Sequence, residues 1–435
     1  MILYLAYLNP EGRTMIKYTD MNREQLLAEQ AVLKQRYNDY KAMGLKLDMS
    51  RGKPSKEQLD LSMDLLADTS YIEEGIDLRN YGILDGIPSC KKLFADLLGV
   101  EPKNILMGPN ASLSLMFDYI AQAFSHGVMG STPWSKLPEV KFICPVPGYD
   151  RHFTILEYFG IKMINVPMTA EGPDMDAVEA LAKDFSVKGM FCVPKYSNPQ
   201  GITYSDEVVK RIAALKPAAK DFRIIWDNAY IIHEIYEEGD ELLNIFDELP
   251  KHGNDDMVIE VCSTSKMTFP GAGISALAAS DGNIADILRR MNCQTISYDK
   301  MNQHRHVEFF GDVDGIKAHM QKHAAIMKPK FEMVLRHLEN ELGGRGIASW
   351  IEPRGGYFIS LDVMDGCAKR VGELCKNAGV VLTNVGATYP YGKDPKNSNI
   401  RIAPSLPPVE ELDLAAQILC VSVRLACLEA LVEEL

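Results

Sequence analysis

The sequence predicts an α/β protein: a large domain built on a mostly parallel sheet, followed by a smaller α+β domain. Three observations carry this. Short apolar runs alternate with helix-period segments through the middle of the chain. Those runs are continuous rather than alternating, as in strands covered on both faces. After about Met327 the rhythm changes to a helix, a Gly-rich strand entry and further short units.

Taken in order, "REQLLAEQAVLKQRYNDYKAM" after Asn22 predicts a helix to about Met43, with Leu26, Leu27, Ala31, Leu33 and Tyr37 near helical spacing. Gly44 ends it, and "LDMSRGKPS" reads as loop, with Gly52 and Pro54 as breakers. Strands are expected in "KFICPVPGY", "IKMINVPM", "GMFCVPKYS", "FRIIWDNAY", "MVIEVCSTS" and "ISALAAS". Between them "DMDAVEALAKDF" and "SDEVVKRIAALKPAAKD" read as helices. "PKFEMVLRHLENEL" predicts a helix leading to "RGIASWIEPRGGYFISLDV", and a final helix closes the chain. The expected organisation is an N-terminal arm and part of the small domain over 1–55, a large domain over 56–326 and a small domain over 327–435.

Composition narrows the function. The 435 residues are 46% hydrophobic and carry a net charge of -13, which suits a globular protein and argues against general nucleic-acid binding. Nine scattered cysteines form no CxxC pair, and Cys144, Cys192 and Cys262 sit inside apolar runs as small hydrophobes. That favours a reducing, cytoplasmic setting over a disulfide framework. "MILYLAYLNPEGRT" lacks a positive n-region and is too short to span a bilayer, so it reads as a short extension, and no membrane partner is expected. His304 and His306 would share a face on a strand, but no third ligand accompanies them, and no metal site is expected.

Ligands of such sheets bind at the carboxyl ends of strands. There the sequence places a series of polar clusters: "GPNAS" (108–112), "PGY" (147–149), "NPQG" (198–201), "DNAY" (227–230) and "STSK" (263–266), with "RIAPS" (401–405) later. In this order they resemble the class I aminotransferases among the fold-type I, pyridoxal 5′-phosphate (PLP) dependent enzymes, and a divergent bacterial aspartate aminotransferase subgroup in particular. The resemblance runs from about Gly52 to near the C-terminus.

The resemblance implies fold type I, with a seven-stranded large-domain sheet, and it implies roles. Lys266 would hold the PLP aldehyde as a Schiff base and shuttle a proton, a task suited to a desolvated lysine. Asp227 would keep the pyridine nitrogen protonated. Asn198 and Tyr230 would donate to the ring oxygen, and Tyr149 would stack on the ring. Asn110, Ala111 and Ser112, opening a helix, and Ser263 and Ser265 would hold the phosphate. Tyr81 would reach a phosphate across a homodimer interface. Arg401, Gly52 and Asn198 would receive the substrate α-carboxylate. Gly355, Gly356 and Tyr357 match a run at the inner face of the small domain.

The sequence departs from the family at "SKMTFPGAGIS", where Gly273 stands in place of an arginine that pairs with the phosphate. Lys300, Arg305 and Arg51 are candidate replacements by elimination. Lys300, Asn302, Gln303, Arg305, Arg151 and Arg354 are candidates for the distal carboxylate of an acidic substrate. The expected reaction is aspartate:2-oxoglutarate transamination with ping-pong kinetics. The alternatives are an alanine, aromatic or aminoadipate-like transaminase, a β-lyase, or a MocR-type sensor, which the short segment before Gly52 disfavours.

Overall fold

The computed structural model describes residues 16–434, so the N-terminal extension lies outside the described residues. The expected strands form one large sheet. Its spatial order is Ile105–Gly108, Ser275–Ala279, Val258–Ser263, Arg223–Asp227, Val187–Cys192, Lys141–Val146, Lys162–Thr169 and the two-residue edge Gly172–Pro173. Six of the seven longer strands are the runs expected from the sequence; Ile105–Gly108 and the short edge are additions, and the seven longer strands make the number that the resemblance implies. Neighbours from Val258–Ser263 through Lys162–Thr169 pair in parallel. Ser275–Ala279 runs antiparallel to both of its neighbours.

The central strands Val187–Cys192, Arg223–Asp227 and Val258–Ser263 are buried at every residue, which is why their sequences are apolar without alternation. Their direction brings Gly108, Val146, Cys192, Asp227 and Ser263 to one edge of the sheet, where the chain leaves into polar loops.

The small domain pairs Ala348–Trp350, Ile359–Val363 and Asn399–Ile402 in an antiparallel sheet, with Arg401 opposite Ser360. Residues from the start of the described chain join it. Leu47–Asp48 pairs in parallel with Val380–Val381. The helix Arg23–Ala42 is capped by a reciprocal Asn22–Gln25 box and buries Leu26, Gln30, Leu33, Tyr37 and Tyr40. Leu27 and Ala31, expected on the same face, are exposed. The C-terminal helix Val409–Glu434 is long and apolar enough to span a membrane, yet it is mostly buried against this core.

One helix differs from expectation. Val313–Leu342 is continuous over 30 residues and carries Pro329 in its interior. Pro329 and Ala325, whose carbonyl loses its partner, are both exposed, so water replaces the missing bond and the helix continues. The boundary drawn at 326–327 therefore falls inside a helix. His304 and His306 also lie on a helix, Lys300–Phe310, rather than a strand. His304 Nδ1 meets Glu73 Oε2 at 2.9 Å, and His306 Nε2 lies 3.0 Å from Thr268 Oγ1.

Candidate active site

Lys266 ends a short 3-10 turn, Thr264–Lys266, that follows the buried strand Val258–Ser263. Its ammonium lies 4.8 Å from the centre of the Tyr230 ring and 6.0 Å from that of Tyr357. Burial pushes the Lys266 pKa below its ordinary value, and the negative charge of Asp227 opposes the shift. The turn is braced from behind. His306 reaches Thr264 Oγ1 at 3.2 Å, and Thr264 Oγ1 accepts from the Ile274 amide at 3.0 Å.

Asp227 closes its strand and is 2% exposed. Oδ2 lies 2.9 Å from His152 Nε2, and the pair is buried on both sides. Oδ1 is buried without any hydrogen-bond partner among the described residues. A buried carboxylate oxygen without a partner is costly in a finished fold, so this one is built to receive a donor. The His152 ring is held flat on Phe191, centroids 4.3 Å apart, and meets the edge of Tyr149 at 5.0 Å. Tyr149 and Tyr230 have phenols pushed upward by burial, with Asp227 adding to both shifts.

A second cluster lies at the N-terminus of the helix Ser112–His126. Its N-cap is Ala111, which offers no capping side chain, so the first-turn N–H groups have no side-chain acceptor. Ser263 Oγ donates to Ser265 Oγ at 3.1 Å, and Ser265 Oγ donates to the Asn110 carbonyl at 3.0 Å. The serines and the helix end thus converge, as an anion site requires. The Asn110 side chain is turned away and donates to the Pro270 carbonyl at 3.1 Å.

At Gly273 a Cβ would lie 3.0 Å from Thr264 Oγ1 and 3.1 Å from the carbonyl oxygens of Asn110 and Phe269. Even a Cβ at this position, where the resemblance leads one to expect arginine, would be tightly packed. The expected replacements are occupied elsewhere or exposed. Lys300 Nζ donates to the Asn80 carbonyl at 2.6 Å and Ser297 Oγ at 3.2 Å; Arg305 Nε donates to the Asp68 carbonyl at 3.0 Å; Arg51 is exposed.

Arg401 is 8% exposed. Nη1 donates to Asp150 Oδ1 at 2.8 Å and Asn198 Oδ1 at 3.2 Å, and Nε to Thr383 Oγ1 at 3.3 Å. Its guanidinium rests on Phe358, 4.8 Å from the ring centre. Gly52 meets the same ring: a Cβ there would come within 2.2 Å of Phe358 Cζ.

The described residues therefore bring together Lys266, Asp227, Tyr230, Tyr149, Asn198 and Arg401, with Ala111, Ser112, Ser263 and Ser265 beside them. Tyr81 stands apart, 82% exposed on the outer surface. Of the distal-carboxylate candidates, Gln303 Oε1 accepts from the Ile87 amide at 3.0 Å, Asn302 Nδ2 donates to the Ala272 carbonyl at 2.9 Å, Arg354 Nη1 pairs with Asp240 at 3.4 Å, and Arg151 is exposed.

Sequence reasoning missed His152, Asp150, Gln58 and His233. His152 lies three residues after Tyr149, which on a helix puts both on one face, and that spacing was the available signal. Gln58 is wholly buried, and its Nε2 lies 3.0 Å from both Tyr357 Oη and His323 Nδ1. Both ring nitrogens of His233 are buried without a hydrogen-bond partner among the described residues; burial pushes its pKa well down, with Lys266 adding to the shift.

The comparison with known proteins now decides the family. The family model described as aspartate amino-transferase matches residues 21–434. The chain belongs to this family. It is 46% identical to the aspartate aminotransferase of Corynebacterium glutamicum, over 95% of this chain and 97% of the relative. It is similar to the crystal structure of an aspartate transaminase from the same organism, with a TM-score of 0.94, 46% identity and coverage of 96% and 100% of the two chains. The α-aminoadipate aminotransferase of Thermus thermophilus, complexed with N-(5′-phosphopyridoxyl)-L-leucine, shares the fold: TM-score 0.72, 20% identity, 89% and 93% covered. The protein is a fold-type I, PLP-dependent aminotransferase. The residues present fit that cofactor: an unpartnered Asp227 oxygen for a ring N–H, a desolvated lysine for an aldehyde, and an uncapped helix end with two hydroxyls for a phosphate.

Proposed function

We propose that the protein transfers the amino group of aspartate to 2-oxoglutarate. The observation that carries the aminotransferase chemistry is the Lys266 ammonium beside Tyr230, together with a buried Asp227 oxygen that has no donor among the described residues. The high identity to an aspartate aminotransferase over nearly the whole chain supports the choice of amino donor.

PLP supplies an aldehyde that condenses with amines and a ring that accepts the electron pair released at the substrate α-carbon. The chain supplies the rest. Lys266 would hold the cofactor covalently in the resting protein. Freed when substrate takes its place, Nζ would take the α-proton and hand it on across the same face, and the burial that lowers its pKa favours the neutral amine this task needs. Asp227 Oδ1 would keep the ring nitrogen protonated, and His152 fixes that carboxylate by its other oxygen. Tyr230 and Asn198 would donate to the ring oxygen, and Tyr149 would cover the ring face. Ser112, Ser263, Ser265 and the Ala111 and Ser112 amides would hold the phosphate. Arg401, Asn198 and Gly52 would receive the α-carboxylate.

The working unit we infer is a cytoplasmic homodimer. Tyr81 is highly exposed and lines an open surface cavity of about 780 Å³ with Ile296, itself 59% exposed, and with Lys300 and Arg305. Such apolar exposure beside a polar rim suits a partner surface. All nine cysteines are free and eight are buried, as a reducing compartment favours.

A panel of amino donors followed by absorbance of the loaded enzyme tests the reading. Aspartate should give the fastest spectral change at equal concentration. No change with aspartate and a clear one with alanine, an aromatic amino acid or 2-aminoadipate would overturn the substrate assignment.

A further inference from the structure

Arg401 meets a carboxylate before any substrate arrives. Among the described residues Asp150 is the one acidic group paired with it, at 2.8 Å. Asp150 opens the helix Asp150–Tyr158, directly after Tyr149, and its side chain remains 32% exposed. Arg401 is buried at 8% and would be a desolvated lone cation without it. The two other partners, Asn198 and Thr383, are neutral.

The positions of these partners say where an incoming carboxylate goes. The two Nη1 hydrogens are taken by Asp150 and Asn198, and Nε by Thr383, while Nη2 makes no hydrogen bond among the described residues. A bidentate carboxylate needs two parallel N–H groups. One that also touches the Asn198 amide must lie at the edge of the fork that Asn198 faces, which is the Nη1 edge. Asp150 occupies that place. Two carboxylates sharing one guanidinium would repel each other, and Asp150, with 32% of its side chain exposed, has a route to solvent.

We propose that Asp150 is an internal stand-in for the substrate carboxylate. It holds Arg401 in its binding pose in the empty protein and yields the Nη1 edge when an amino or oxo acid binds. Asp150 is thus an internal competitor: it weakens binding of every carboxylate substrate alike and keeps the arginine folded inward between turnovers. This rests on Arg401 being the α-carboxylate site.

The test is Asp150→Asn in the PLP-loaded enzyme, with steady-state kinetics and calorimetric binding of maleate, a dicarboxylate that has no amino group. Removing the competitor should lower KM for aspartate and for 2-oxoglutarate and tighten maleate about tenfold, the equivalent of ~1.4 kcal/mol. The effect should fall on KM more than on kcat, because Asp150 touches no reacting atom. Asp150→Glu, which keeps the charge, should retain the weaker wild-type binding of maleate. A raised or unchanged KM in Asp150→Asn, with maleate binding no tighter, overturns the proposal. Arg401→Lys separates the two levels. If it leaves KM and maleate affinity unchanged, the carboxylate assignment itself falls; if it weakens both while Asp150→Asn does not tighten them, only the competitor role falls.

Discussion

Gly52→Ala perturbs the substrate pocket at one atom. The added Cβ would lie 2.2 Å from Phe358 Cζ and 2.6 Å from Cε1. Carbon atoms rest at about 3.5–4.0 Å, so the ring must retreat by at least ~1.3 Å or the loop must move by as much. Phe358 is only 7% exposed, so it has little room, and Arg401 lies on its face at 4.8 Å. Displacing the ring moves the platform of the guanidinium. A misplacement of about 1 Å in a substrate-positioning group costs on the order of 100-fold, equivalent to ~2.7 kcal/mol of transition-state stabilisation. Overpacking itself should cost a further ~1–3 kcal/mol of folding stability. The assay is kcat/KM for aspartate together with thermal unfolding. Phe358→Leu in the same chain should recover part of both losses by reopening space. A Gly52→Ala enzyme within about twofold of wild type, or a double variant no better than the single one, would refute the steric reasoning.

The other expectations concern the site and its supports. Lys266→Met should stabilise the cofactor-free protein at neutral pH, because a buried ammonium with a lowered pKa costs folding energy. The sign follows from proton binding: between the lowered folded value and 10.5 only the unfolded chain holds the proton, so wild-type stability rises with pH there. The gap between the two proteins in urea unfolding should narrow across that window; a gap independent of pH would contradict it. Mutating Ser112, Ser263 and Ser265 together to alanine should weaken PLP binding about 100-fold or more by equilibrium dialysis, since bonds to a charged phosphate are worth ~1.5–3 kcal/mol each; wild-type affinity would mean that the phosphate is held elsewhere. Gln58→Leu should lower stability by at least ~2 kcal/mol, since it strips Tyr357 Oη and His323 Nδ1 of a buried partner at once; a change below ~0.5 kcal/mol would show the network to be dispensable.

Much of the site was legible because a parallel sheet concentrates it. Each buried strand is a continuous apolar run, so the polar residue that ends it stands out, and Asp227, Tyr149, Asn198 and Ser263 were found in this way. Three features were hidden for a common reason: they are pairings between residues distant in sequence. His152 meets Asp227 across 75 positions, Gln58 meets Tyr357 across 299, and Asp150 meets Arg401 across 251. Even where one residue stands out locally, as Asp227 does, nothing near it in sequence announces its partner. Other departures have local causes. Pro329 signals a helix start, and only its exposed position lets the helix continue. Lys300 reads as a free cation, but the chain buries it at 4% against the Asn80 carbonyl. Gly273 remains the clearest departure from the family pattern, and Thr264 with the Asn110 and Phe269 carbonyls packs tightly against the place of its missing Cβ.

The central claim is that Lys266 is the residue that carries the cofactor. The direct measurement is to load the protein with PLP, reduce it with borohydride, digest it and map the phosphopyridoxyl group by mass spectrometry. The expected result is a single modified peptide containing Lys266, lost when aspartate is added before the borohydride. A stable adduct on any other lysine, with Lys266 unmodified, would contradict the account.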